Sequence, residues 1–291
     1  MPSTRDIRRR IKSVKSTAQI TKAMEMVASA KMRRSQLSAL ANRPYARLMY
    51  RMQRDVTTHA GDFTHPLLET REVRRRAVLL VSTDKGMCGA LNSNLFREAA
   101  QCDRQSTTFI AAGRKAAQFI SRTKRDLAGE FTYKDNPTFS EARAIAKMAI
   151  DLFLGHKVDH VEILYNRFVS TLTQKPISIQ FLPISEIKGI TLSPEEQAMP
   201  QMLEHTPEFL FEPNAGHVLG ALLPSYLNLY VFQILLEAKA SEQSARMVAM
   251  KNATDNANQI IKDLTLEYNK MRQAGITNEL LEISTAQMAV S

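Results

Sequence analysis

Apolar and small residues recur every three or four positions, without a stutter, along the C-terminal quarter of the chain. From Leu219 the run is Leu222, Tyr226, Leu229, Gln233, Leu236, Ala240, Gln243, Met247, Met250, Thr254, Ala257, Ile261, Leu264, Tyr268 and Met271. A repeat averaging 3.5 residues keeps one stripe of a helix turned toward a partner over any length, so it marks a coiled-coil seam. At 1.5 Å per residue, about 60–70 such residues make a rod of roughly 90–105 Å. That exceeds the diameter of an ordinary domain, so the rod must protrude or be enclosed by other chains. Asn214 after Pro213 is placed to open the helix, and Pro224 is tolerated only near its start or at a kink. Beyond Gly275, the residues Ile276, Leu280 and Ile283 carry the pattern onward.

The N-terminal segment shares the period. Ile7, Ile11, Val14, Ala18, Thr21, Glu25, Ala28 and Met32 alternate steps of four and three, in a stretch without glycine. Ser3 or Thr4 is the expected N-cap. This seam is thin and includes Thr21 and Glu25, so it binds a partner helix weakly and depends on something outside the chain. Two helices with one period most simply pair antiparallel with each other.

Charge is concentrated in the same region. The chain of 291 residues carries a formal +10. Residues 1–76 hold 18 Lys/Arg against 6 Asp/Glu, and the remainder 21 against 23. Such a surplus reads either as a solvated Arg-rich helix face or as a surface for an acidic partner, whether nucleic acid, anionic lipid or protein. Apolar residues at 44% and charged residues at 23% are enough for a packed core and exclude wholesale disorder. Two cysteines are too few for a disulfide framework and fit reduced thiols. No apolar run is expected to reach the roughly 18–20 residues of a membrane span. The basic N-terminus lacks the apolar stretch of a secretory signal.

The middle of the chain, 77–213, reads differently. Ala77–Val81 and Thr107–Ala112 are short apolar runs of strand length, each followed by a turn and a helical stretch, from Leu91 and after Gly113. Ser140–Phe153 reads as a helix and His160–Tyr165 as a third strand. Thr171–Thr173 and Pro176–Leu182 would add strands antiparallel to it, since no helix-sized connector intervenes. Strand–helix alternation gives a small doubly wound, Rossmann-like α/β domain. Ser193–Pro213, with four prolines and five glutamates, reads as an irregular connection. The expected organisation is therefore a coiled-coil helix over 1–58, an inserted α/β domain over 77–213, and a coiled-coil helix over 214–291.

No constellation for catalysis, cofactor or metal binding stands out. Ser82–Gly89 lies between a strand and a helix, where phosphate loops sit, yet it matches neither G-x-x-x-x-G-K-[ST] nor G-x-G-x-x-G and reads as a tight turn. Cys88, beside that turn with no histidine nearby in sequence, reads as a buried structural thiol. His156 and His160 have the i,i+4 spacing of a metal pair on one helix, but Gly155 ends that helix first.

Four blocks resemble the γ subunits of F-type rotary ATP synthases: Ile20–Arg33 (I-T-K-A-M-E-M-V-A-S-A-K-M-R) with Arg43-Pro44-Tyr45 after it, Ser82–Asn92 (S-T-D-K-G-M-C-G-A-L-N), Ser241–Ala257, and Tyr268–Ile283. They occur in the family's order across nearly the whole chain. The resemblance implies a non-catalytic central shaft. Its antiparallel coiled coil would pass through a ring of three α and three β subunits, and its globular domain would stand on the membrane c-ring beside ε. Proton flow would turn it, driving ATP synthesis on β, and the shaft would regulate ATPase activity and proton flow. It further implies that Lys22, Met24 and Glu25 face acidic loops of β, and that Arg246, Arg272, Gln273, Thr277 and Glu279 engage a catch loop on β. No cofactor and no nucleic acid are implied. With no leader and no inserted cysteine pair, the expected location is the cytoplasmic face of a bacterial inner membrane. The family's usual E-I-V-x-G-A-x-A ending is replaced by Glu282-Ile283-Ser284-Thr285-Ala286-Gln287-Met288. A nucleic-acid-binding coiled coil with a basic arm is the alternative, and it predicts affinity that falls steeply with salt. A small nucleotide-dependent enzyme on the α/β domain is a third, and it predicts ligand binding by residues 77–213.

Overall fold

The computed structural model describes residues 4–59, 65–184 and 215–290. The elements run α1 (Thr4–His59), a 3-10 turn (Pro66–Leu68), β1 (Arg76–Val81), α2 (Leu91–Gln101), β2 (Thr107–Ala112), α3 (Arg114–Arg122), β3 (Asp126–Phe131), α4 (Phe139–Leu154), β4 (His160–Phe168), β5 (Gln174–Leu182) and α5 (Ala215–Val290). The expected caps Ser3 and Asn214 and the connection Ser193–Pro213 lie outside the described residues, and Thr4 is already helical. The chain divides into two compact units, one from Met1–Ser29 with Arg246–Ser291 and one from Ala30–Ala245.

The first unit is a helix pair. The Thr21 and Thr254 hydroxyls meet at 2.7 Å, one donating to the other, while the accepting hydroxyl is free to donate to its own helix, at the Ala18 or the Met250 carbonyl. An antiparallel pairing through that bond sets every other layer: Ile7 with Tyr268, Ile11 with Leu264, Val14 with Ile261, Ala18 with Ala257, Glu25 with Met250 and Ala28 with Met247. Burial follows this register. Ile7, Ala18 and Ala28 are buried on α1, and Met250, Thr254, Ala257 and Leu264 on α5, while Ile261, Tyr268 and Met271 are half-buried. Thr4, the first helical residue, falls opposite Met271. From Arg272 to Thr285 every residue is exposed. The continuing residues Ile276, Leu280 and Ile283, at 49%, 62% and 63% exposure, keep the spacing but have left the part of α5 that α1 covers.

The second unit carries a five-stranded sheet in the order β3-β2-β1-β4-β5. β1 pairs parallel with both β2 and β4, β2 pairs parallel with β3, and β5 runs antiparallel to β4. Central β1 is buried on both faces, which is why it reads as a continuous apolar run. One face, with Val78, Leu80, Phe109 and Ala111, packs on Leu95 and Ala99 of α2 and Ala116 and Ile120 of α3. The other face, with Leu79, Val81, Ile110 and Ile163, packs on α4 and on Leu223, Leu227, Val231 and Leu235 of α5.

The apolar segment of α5 corrects one expectation. Val218 to Leu236 holds no charged residue, and the helix passes a length-and-composition test for a membrane span within Gly216–Thr285. Its apolar side chains belong to the core against the sheet, and a buried core helix meets the same test.

Two strand boundaries also differ. Asp126–Phe131 (D-L-A-G-E-F) forms the edge strand β3, with a register shift between Phe109 and Ile110, and no expectation covered it. Thr171–Thr173 is a turn: the Val169 and Ser170 amides both bond the Thr173 carbonyl, at 3.2 and 3.0 Å, so β5 begins only at Gln174. The start of α4 is fixed by a capping box, in which the Glu141 amide reaches the Thr138 hydroxyl and the Thr138 amide donates to the Glu141 carboxylate at 2.7 Å.

Two predictions follow from this packing. Gly113 has φ +103°, and a Cβ there would overlap the Ser82 carbonyl oxygen. Gly113→Ala should destabilise the chain by more than about 2 kcal/mol, read as a lower urea midpoint. A second concerns Asp135, whose carboxylate accepts a 2.6 Å hydrogen bond from the Lys31 ammonium and is held below the usual carboxylate range by it. A carboxyl lowered on folding adds stability above its unfolded value, near pH 4, and loses it as pH falls through the folded value. Asp135→Asn should therefore melt slightly below wild type at pH 7, and the gap should close on titration below about pH 4.

Candidate functional site: the exposed surfaces of the paired helices

The residues proposed from sequence to meet other subunits fall into two groups. Lys22, Met24 and Glu25 lie on α1 beside the Thr21 layer. Glu25 occupies a seam position, where an apolar residue would usually sit, and its side chain is 18% exposed. The Lys22 ammonium sits 3.1 Å from its carboxylate across one helical turn. Only Lys22, at 56% side-chain exposure, is open to solvent, and a pair screened on that side adds little stability. Met24 is half-buried on the flank. Arg246 begins the α5 part of the same unit and is 9% exposed.

The second group lies past the last covered layer. Arg272, Gln273, Thr277 and Glu279 are all exposed on the stretch of α5 that α1 does not cover. The Thr277 hydroxyl donates to the Gln273 carbonyl at 2.9 Å within the helix. At about 100° per residue, Arg272 and Glu279 point one way and Gln273 and Thr277 another. The outer faces also carry apolar groups. Ile20, Met26 and Val27 on α1 are 55–60% exposed, as are Leu266, Leu280 and Leu281 on α5 at 58–62%. Leu280 continues the seam spacing, whereas Ile20, Met26, Val27, Leu266 and Leu281 lie off the seam and its period does not explain them.

The turn after β1 is filled by its own chain. The α3 N-terminus, where an anion would dock, has its amides occupied. Arg114 N–H donates to Asp84 at 3.0 Å, Lys115 N–H to the Thr83 carbonyl at 3.1 Å and Ala116 N–H to the Ser82 hydroxyl at 2.7 Å. The Thr83 hydroxyl donates to the Lys85 carbonyl and receives Asn92, each at 2.7 Å. These bonds tie the loop after β1 to the start of α3 and to Asn92 of α2, while α2 itself, the helix the loop leads into, begins at Leu91 without a side-chain cap. Cys88 is buried and reduced, with the Asn92 amide 3.5 Å from its sulfur, and Cys102 is half-buried and reduced. His156 follows the α4 cap at Gly155 with φ +52°, and His160 opens β4. The two histidines therefore share no helix, and among the described residues no cluster of three His, Cys, Asp or Glu is placed to hold a metal.

Comparison with known proteins matches this architecture along its length. The family model described as ATP synthase matches residues 3–290. An ATP synthase gamma chain of Opitutus terrae is 48% identical over 295 residues, covering 100% of both chains. One from Methylacidiphilum infernorum is 44% identical with the same coverage. Among solved structures, the rotor of the Euglena gracilis mitochondrial ATP synthase aligns with a TM-score of 0.66 at 20% identity over 94% of this chain and 98% of that one, a likeness of fold. The central stalk and c-ring structure from Tetrahymena thermophila aligns with a TM-score of 0.59 at 26% identity, over 80% of this chain and 99% of that one. With a helix pair, a doubly wound sheet and full-length relatives at this identity, the chain belongs to the ATP synthase gamma-chain family.

Proposed function

We propose that this chain is the central-stalk rotor of a proton-translocating F-type ATP synthase, a non-catalytic subunit that carries c-ring rotation to three catalytic β sites alternating with three α subunits. The observation that carries the reading is the helix pair. Its seam is thin, its outer faces hold large exposed apolar groups, and α5 continues past the last α1 layer with Leu280 and Ile283 uncovered. Exposed apolar surface of this kind marks contact with other chains, and a rod enclosed by a subunit ring would have that contact on all sides. The 48% identity to a gamma chain over its full length supports the same assignment.

In this reading the α/β domain, residues 77–213, stands on the c-ring beside ε, at the cytoplasmic face of a bacterial inner membrane. Lys22, Met24 and Glu25 meet acidic loops of β. Arg246, Arg272, Gln273, Thr277 and Glu279 meet a catch loop on β, and resistance at these contacts regulates ATPase activity and proton flow. The surplus of positive charge on residues 1–76 gives long-range attraction to those acidic loops while leaving the surface free to slide.

The test is alanine substitution at Lys22, Arg272, Gln273, Thr277 and Glu279 in the complete complex reconstituted in vesicles. All five side chains are exposed, and the bonds of Thr277 to Gln273 and of Lys22 to Glu25 stay within their own helices, so the stability of the chain should hold within the scatter of surface substitutions, about 0.5 kcal/mol. ATP synthesis driven by a proton gradient should fall several-fold in at least the Arg272 and Glu279 variants. Wild-type synthesis in all five would remove the interface assignment.

A further inference from the structure

A helix packed only by apolar contacts is held against separation but weakly against turning about its own axis, because hydrophobic contact has no direction. The α5 helix meets this difficulty within the second unit, where its apolar stretch lies on the sheet. The next eight residues, Glu237 to Ser244, are polar or small and almost wholly buried. Lys239 is 1% exposed, Glu242 2% and Ser244 0%.

Their bonds leave the helix on two opposite sides. Glu237 accepts from the Tyr165 hydroxyl at 3.1 Å and from the Phe168 amide at 3.2 Å, both on β4. One face with it is Ser244, whose hydroxyl donates to the Thr171 carbonyl in the β4–β5 turn at 2.7 Å. On the reverse face Lys239 pairs within the helix with Glu242 at 3.0 Å, and its ammonium reaches out of the helix to lie 4.5 Å from the centre of the Tyr133 ring. Tyr133 is itself fixed by a 2.9 Å hydrogen bond to the Ser82 carbonyl at the end of β1. Asp135 stands 3.9 Å from Lys239 and is tied to Lys31 of α1. At about 100° per residue, Glu237 and Ser244 lie on one side of the helix and Lys239 and Glu242 about half a turn away.

Resting on the rotor reading, we infer that Glu237–Ser244 is a two-sided key that locks the rotational angle of α5 to the α/β domain, so that torque crosses between domain and shaft here. Bonds on opposite sides of an axis resist rotation as a couple, which contacts on one side alone do not. Any turn of the helix carries the buried Lys239 ammonium away from the Tyr133 ring and from Asp135, both outside the helix, while it stays out of water, and a buried charge that loses its partners is strongly unfavourable. The Lys31–Asp135 bond adds α1 to the same assembly.

The experiment is single-molecule rotation of the complete complex, held by its β subunits, with a bead tethered through Glu98→Cys on exposed α2 and Cys102→Ser to leave one tether. The angular variance of the bead during each pause reports the torsional stiffness of the path through the key. Two variants are compared: Lys239→Met with Glu242→Gln, which replaces the buried pair by groups of similar volume, and Tyr165→Phe with Ser244→Ala, which removes only two hydroxyls from the other side and keeps the chain foldable should the first fail to assemble. Each should raise the variance at least two-fold while ATP hydrolysis stays within two-fold of wild type. A wild-type variance in the assembled variants, on complexes that rotate, would overturn the key alone. A wild-type complex that hydrolyses ATP without turning the bead would overturn the rotor reading and the key's role with it.

Discussion

The structure depends on one continuous helix changing environment along its length. Up to Ser244, α5 lies with one side against the sheet, with Leu223, Leu227, Val231 and Leu235 in its core. From Met250 a single stripe is covered, and from Arg272 to Thr285 none is. A backbone with every hydrogen bond satisfied internally can pass through these environments without a break, and only its side chains need change. The sequence makes that change in order: large aliphatic residues, then a short buried polar belt, then the alternating three-four repeat, and finally a fully exposed turn pattern that still repeats apolar residues.

The repeat that pairs α5 with α1 is not built for strength. Alanines supply the Ala18–Ala257 layer and one side of the Ala28 layer, and a hydroxyl pair fills Thr21–Thr254. Burying an alanine methyl contributes about 1 kcal/mol, well below a leucine side chain. Small residues bring the two axes close and leave the outer surfaces to others. The large apolar groups that would strengthen a free-standing coiled coil, such as Ile20, Val27 and Leu266, are exposed on the outer faces instead.

Much of this was legible in the chain. The seam period gave both helices and, once one contact is known, every layer from Ile7 to Met271, because regular periodicity is a property of neighbours in sequence. The runs at Ala77–Val81 and Thr107–Ala112 announced central parallel strands by being apolar on both faces. β3 was hidden since an edge strand needs no such run: Asp126, Gly129 and Glu130 sit where one side is solvent. The stretch from Val218 to Leu236 misleads for the opposite reason, because composition cannot distinguish a core helix from a longer apolar span. Of the residues proposed for the interface, the exposed set after Met271 could be named only by resemblance, as nothing about Arg272 or Thr277 sets them apart chemically. Least legible was Lys239. In sequence it is one more lysine of a helix, and only the sheet, Tyr133 and Asp135, each distant in the chain, make it a buried charge.

The central claim is that one copy of this chain serves as the asymmetric shaft of a larger catalytic ring. Co-expression with α and β subunits of the same enzyme, native mass spectrometry of the product, and ATPase assays on the same fractions test it most directly. The account predicts a particle of three α, three β and a single copy of this chain, with ATPase activity that depends on its presence. A chain that stays free, leaving the composition and activity of α and β unaltered, would contradict it.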